Sequence, residues 1–210
     1  MTDLFDCTDP GERETGIAAA ISALKGGRLV VMPTDTVYGI GADAFDGSAV
    51  AALLAAKGRG RDMPVPVLVG SWHTIQGLVY TVPNSAKELI RAFWPGALSL
   101  VVRQAPSLAW DLGDAHGTVM LRMPLHPVAI ELLRAVGPMA VSSANISGRP
   151  AAVTADQGES FVWVVNLDDA TLVKTPVRTG AYREDRVPVL EGLSADDWVV
   201  AAGTQGLRGG

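Results

Sequence analysis

Over its first 150 residues the chain alternates helix-spaced apolar patterns with short apolar runs, each closed by glycine or proline, and that alternation leaves few folds open. Asp9-Pro10 sets an N-cap before a proline at the first helical position, Ile17, Ile21 and Leu24 recur at helical spacing, and Gly26-Gly27 stops the pattern. Leu29 to Met32, ended by Pro33, predicts a buried strand. Ser48 to Lys57 predicts a second helix, Val65 to Val69 a strand, and residues 83–93 a helix broken by Trp94-Pro95-Gly96. Strands are expected over Leu98 to Val102 and Thr118 to Arg122, a helix from Pro127 to Val136, and a strand from Met139 to Val141. Elements in this order bury one sheet between helices, so the fold class is α/β. Beyond about residue 155 the helical spacing stops. Phe161 to Val165, Leu172 to Val177, Val187 to Leu190 and Trp198 to Ala202 predict a small β-rich segment, which divides the chain into 1–157 and 158–210.

Composition narrows the function classes. With 210 residues, 48% hydrophobic and 19% charged, the chain carries too much apolar side chain to remain disordered. No apolar run approaches the ~18 residues of a membrane span, and Met1 to Asp6 lacks the basic and apolar regions of a signal peptide. Cys7 is the single cysteine, which excludes an internal disulfide and a cysteine-based zinc site. A cytoplasmic, membrane-free setting is therefore expected. The net charge of −5 is uneven: residues 1–150 sum to −1 and residues 151–210 to −4. A near-neutral first part argues against a broad nucleic-acid surface, though not against a local basic cavity.

Four stretches carry chemistry. Pro33-Thr34-Asp35-Thr36-Val37-Tyr38-Gly39 follows a strand and gathers hydroxyls and a carboxylate, as either a side-chain-capped turn or the wall of a small-ligand pocket. Lys57-Gly58-Arg59-Gly60-Arg61 places cations at alternate positions. If extended, all three converge on one anion such as a polyphosphate; at a helix end they complement the dipole instead. Arg122 closes a strand, where a planar guanidinium is either a surface group or a carboxylate clamp. Ser142 to Gly148 collects hydroxyls and an amide after a strand, as a capped turn or a second polar wall. No P-loop is present, and His73, His116 and His126 lack metal spacing and fit surface or supporting roles.

Taken in order, Pro33-Thr-Asp-Thr-Val-Tyr-Gly39, Lys57-x-Arg59, Trp94-Pro-Gly96, Thr118 to Arg122 and Ser143-Ala-Asn145-x-Ser-Gly148 resemble the YrdC-type threonylcarbamoyl-adenylate synthase family, over about residues 10–155. The resemblance implies a twisted mixed sheet with flanking helices around a concave, electropositive cavity. It implies an enzyme that condenses L-threonine, bicarbonate and ATP into threonylcarbamoyl-AMP and pyrophosphate, with Mg²⁺ accompanying ATP. A partner transferase then carries the threonylcarbamoyl group to tRNA, forming N6-threonylcarbamoyladenosine. By the same resemblance Lys57 and Arg59 are the catalytic cations on the phosphates, Thr34, Tyr38 and Arg122 hold threonine, and Thr118, Ser143 and Asn145 line the nucleotide side; no side chain is assigned to a metal. Such a reaction asks for positioning and charge neutralisation rather than a nucleophilic side chain, and none is apparent.

The tail departs from that pattern. The family's terminal Ser-Thr-Val strand and Leu-Arg element, whose Ser and Arg complete the nucleotide site, are not found in register. Residues 160–210 instead resemble the C-terminal β-rich segment of periplasmic adaptor subunits of efflux pumps, as in Lys174 to Gly180 and Asp197 to Gly203. Either the chain is a fusion or chimera, which is the favoured expectation, or the tail has diverged and its likeness to the adaptor is coincidental; Arg178 or Arg183 pointing into the cavity would replace the missing arginine. The competing reading of the whole chain is a noncatalytic nucleotide- or tRNA-binding module. A carbamoyl-adenylate site of the hydrogenase-maturation kind lacks its companion domains here.

Overall fold

In the computed structural model, which describes residues 3–147, 161–166, 171–179, 189–194 and 198–199, the first helix, α1 (Pro10–Lys25), starts where its cap requires. The Asp9 carboxylate accepts the Glu12 N–H at 2.8 Å, and Gly26 closes the last turn. The chain then lays down β1 (Val30–Met32), β2 (Gly39–Asp43), α2 (Gly47–Lys57), β3 (Val67–Leu68) and a single 3₁₀ turn (Trp72–Thr74) that leads into α3 (Ile75–Leu78). It continues through α4 (Asn84–Phe93), β4 (Leu100–Arg103), β5 (Thr118–Arg122), α5 (Pro127–Val136) and β6 (Met139–Ser143). The predicted helices and strands of this part are present with ends shifted by a few residues. Strand β2, the 3₁₀ turn and α3 were not anticipated from the spacing.

Six strands form one mixed sheet in the order β1-β2-β6-β3-β5-β4. Only β3 and β5 run parallel; the other neighbours are antiparallel. Side chains alternate across it. Leu121, Val67, Ala140 and Ala42 point to one face, where they pack with Val50, Leu53 and Leu54 of α2, Ile75 and Leu78 of α3, and Ile90 of α4. Leu68, Met139, Val141 and Met32 point to the other, against Leu24 of α1 and Leu132 and Leu133 of α5. The pairing of β5 with both neighbours places Thr118, Met120 and Arg122 on this second face.

The chain divides into two compact units, Met1–Asp35 with Gly39–Ser143, and Thr36–Tyr38 with Ala144–Gly210. In the second, β7 (Phe161–Asn166) pairs antiparallel with β8 (Thr171–Pro176) and with β11 (Trp198–Val199), and β9 (Arg178–Thr179) pairs with β10 (Val189–Glu191). The four strands expected in the tail thus reappear in part, with β9 added. The boundary at 157/158 falls outside the described residues.

Candidate functional site

Helix α2 delivers the central cation. Asp46 caps its start by accepting the Ser48 and Ala49 N–H groups, and its end is closed by Gly58 in the left-handed conformation at φ 62°. Two bonds fix that end, Gly58 N–H to the Ala55 carbonyl and Arg59 N–H to the Leu54 carbonyl, each at 3.0 Å. Lys57, the last residue of the helix, is only 1% exposed. A buried ammonium needs acceptors, and it finds them at the end of β6: Nζ donates to the Ser143 carbonyl at 2.5 Å and lies 3.3 Å from Ser143 Oγ. Burial, and then the nearby Arg59 charge, push its pKa down to about 8.

The left-handed turn at Gly58 also corrects an expectation. The segment is not extended, so Lys57, Arg59 and Arg61 do not converge. Arg61 instead lies across a neighbouring loop, donating to both Asp111 carboxylate oxygens at 2.8 Å and to Asp114 at 3.3 Å. Arg59 stands between, half-buried and within electrostatic reach of Lys57.

A second cluster forms around Arg122 at the end of β5. Its NH2 donates to the Asp35 carboxylate at 2.5 Å and its Nε to the Gly96 carbonyl at 3.0 Å. The Trp94-Pro95-Gly96 corner is itself tied down: Gly96 N–H bonds the Met123 carbonyl and the Trp94 indole donates to the Leu98 carbonyl, both at 2.8 Å. Thr34, beside Asp35, is 5% exposed. Asp35 and Gly96 thus hold the Arg122 guanidinium, contacts that the sequence motifs containing them do not reveal. Asp35 was visible only as part of a polar loop, and no spacing rule links residue 35 to residue 122.

Register relates the two clusters. Leu68 of β3 pairs with both Arg122 and Met139, and β6 runs opposite to β5. Thr118 and Ser143 therefore lie toward one end of the shared face, about two strand spacings (~10 Å) apart, while Arg122 lies at the other end, roughly 13 Å along β5 from Thr118. Lys57 and Ser143 are brought into contact, whereas Thr118 is not brought to Arg122. The Thr118 hydroxyl donates to the Ala115 carbonyl at 2.7 Å. Tyr38 and Asn145 belong to the second unit, where the Tyr38 carbonyl accepts the Ala144 N–H at 2.7 Å and Asn145 Nδ2 donates to the Ile146 carbonyl at 3.2 Å. Gly148 and Arg183, and the side chain of Arg178, fall outside the described residues. His126 is half-buried at the start of α5, and burial lowers its imidazole pKa. Among the described residues no three His, Cys, Asp or Glu side chains gather as a metal site.

The Sua5/YciO/YrdC family, described as "Telomere recombination", matches residues 22–167. A second, shorter match, to the C-terminal permuted SH3 domain of RND membrane fusion proteins, covers residues 150–206. A candidate threonylcarbamoyl-AMP synthase of Mycobacterium tuberculosis is 79% identical over 160 residues, 76% of this chain and 74% of that protein. The threonylcarbamoyl-AMP synthase of Pyrococcus abyssi is 38% identical over 68% of this chain and 42% of its own length. The structure of that organism's Sua5 complexed with L-threonine superposes with a TM-score of 0.65 over 68% of this chain and 42% of that one. Escherichia coli YciO, at 17% identity and a TM-score of 0.57, covers 93% of this chain and 94% of its own, a likeness of fold alone.

Proposed function

The chain belongs to the Sua5/YciO/YrdC family, and on that premise we propose that it is a threonylcarbamoyl-AMP synthase, converting L-threonine, bicarbonate and ATP into threonylcarbamoyl-AMP and pyrophosphate. The observation that carries this reading is a pair of positioned cations, buried Lys57 held on Ser143 at the end of β6 and Arg122, aimed by Asp35 and Gly96, at the end of β5.

The chemistry divides between them. Arg122 offers a planar donor edge to the threonine carboxylate, and a guanidinium already held on two sides loses little freedom on binding. The threonine nitrogen takes up the bicarbonate carbon as a carbamate, with loss of water. A carbamate oxygen then forms a bond to the α-phosphorus of ATP while the bond to the bridging oxygen breaks, and pyrophosphate leaves with that electron pair. Charge accumulates on the departing phosphates, where Lys57 and Arg59 supply two positive charges. By the family resemblance Thr34 would complete the threonine side, and Thr118 and Ser143 the nucleotide side. Mg²⁺ belongs in this scheme to the substrate, coordinated by ATP phosphates and water. The product is a mixed anhydride suited to a transferase acting on tRNA.

The test is pyrophosphate release from ATP. It should require both threonine and bicarbonate, and Lys57→Ala or Arg122→Ala should abolish it with the protein still folded. Threonine-independent release would reject the assignment, and tRNA retention without any release would favour the noncatalytic binding module.

A further inference from the structure

Arg61, the third cation of the Lys57-to-Arg61 stretch, makes a contact more elaborate than a single surface ion pair. Its guanidinium grips Asp111 with two parallel bonds of 2.8 Å and touches Asp114. The backbone follows: Asp114 N–H bonds the Arg61 carbonyl at 2.7 Å, and Val65 N–H bonds the Leu112 carbonyl at 2.9 Å. Between them Gly113, at φ 97°, has no room for a side chain, since a Cβ there would come within 2.8 Å of the Arg61 carbonyl oxygen and 3.2 Å of Pro64 Cα. At the other end of the same loop the α2 terminus fixes Arg59 N–H on Leu54. Arg59 therefore sits at the anchored α2 terminus, two residues before the Arg61 contact.

We propose that Arg61 and Asp111 are positioning residues for ATP, clasping residues 59–65 to 111–114 so that Arg59 is presented to the phosphates. The inference rests on the synthase reading. Exposed ion pairs contribute little to global stability, and Arg61, Asp111 and Asp114 keep more than half of their side-chain surface in water. The clasp is therefore expected to act on ligand geometry rather than on folding.

Charge alone and positioning make opposite predictions, which allows a decisive test. Removing a negative charge near a polyphosphate site should tighten ATP by simple electrostatics; loosening Arg59 should weaken it. ATP affinity is measured by calorimetry and the ATP and threonine KM values by pyrophosphate release, on the full chain. Arg61→Ala and Asp111→Asn are each expected to weaken ATP roughly five- to tenfold, with threonine KM and the melting temperature unchanged. The charge-swapped double variant, Arg61→Asp with Asp111→Arg, should recover most of the loss. ATP binding in Asp111→Asn that is equal to or tighter than that of the parent overturns the proposal, as does a swapped pair no better than the weaker single variant. A parent that binds no ATP fails the synthase reading itself, and is seen before any variant is compared.

Discussion

Lys57 concentrates the cost of the site in one residue. An ammonium 1% exposed, with its pKa lowered to about 8, is held charged at neutral pH against its own desolvation. The consequence for stability has a definite sign. The unfolded chain holds the proton up to about pH 10.5 and the folded chain only to about 8, so between those values the unfolded state binds more protons and stability rises with pH. Lys57→Met removes the buried charge. It is expected to raise stability at pH 7 by about 2–3 kcal/mol, to flatten the rise between pH 8 and 10.5, and to abolish pyrophosphate release. Denaturant melts across that range check it; a Met variant less stable than the parent at pH 7 contradicts it. This cation and its neighbour Arg59 were legible in the sequence because a helix C-terminus followed by glycine is a local signal. The place of Arg61 was open in the sequence because its partner lies fifty residues away at Asp111.

At the scale of elements, caps and stops did what local chemistry demands: Asp9, Asp46, Gly26 and Gly58 bound their helices as the residue types suggest. Strand β2 was invisible for the opposite reason. Gly39-Ile40-Gly41 reads as a loop, yet it pairs residue for residue with Ser143, Ser142 and Val141. Its glycines answer a tertiary demand. A Cβ at Gly41 would lie 2.8 Å from Met139 Cε, 2.9 Å from Val141 Cγ2 and 3.3 Å from the Ala140 carbonyl oxygen. Met139 can move, but the branched Val141 has little choice of rotamer. Gly41→Ala is therefore expected to destabilise by about 1–3 kcal/mol, the usual range for an overpacked core. Pairing it with Val141→Ala should make the combined loss smaller than the sum of the two single losses. Equilibrium denaturation of the four proteins in that cycle checks the coupling, and strict additivity refutes the steric explanation.

Charge and composition, averaged over the whole molecule, do not resolve its organisation. The sequence divides by helical spacing near residue 157, whereas one compact unit groups the short stretch Thr36–Tyr38 with Ala144–Gly210, which no compositional shift could single out. Averages do constrain partners. Residues 1–150 sum to −1 and the rest to −4, so few phosphates of a polyanion can be neutralised outside the proposed Lys57–Arg59 site. Each neutralised phosphate steepens the dependence of log K on log salt by roughly 0.7–0.9. If the chain meets tRNA only to hand on its product, retention should be weak, with a slope shallower than about −3, and should fall further when ATP fills the basic site. Filter binding between 50 and 200 mM salt, roughly the span over which a many-contact binder loses its grip, measures the slope directly. A slope of about −6 or steeper, unaffected by ATP, would require a basic surface that these charges do not supply, and would turn the reading from a synthase that releases its product toward an RNA-binding module.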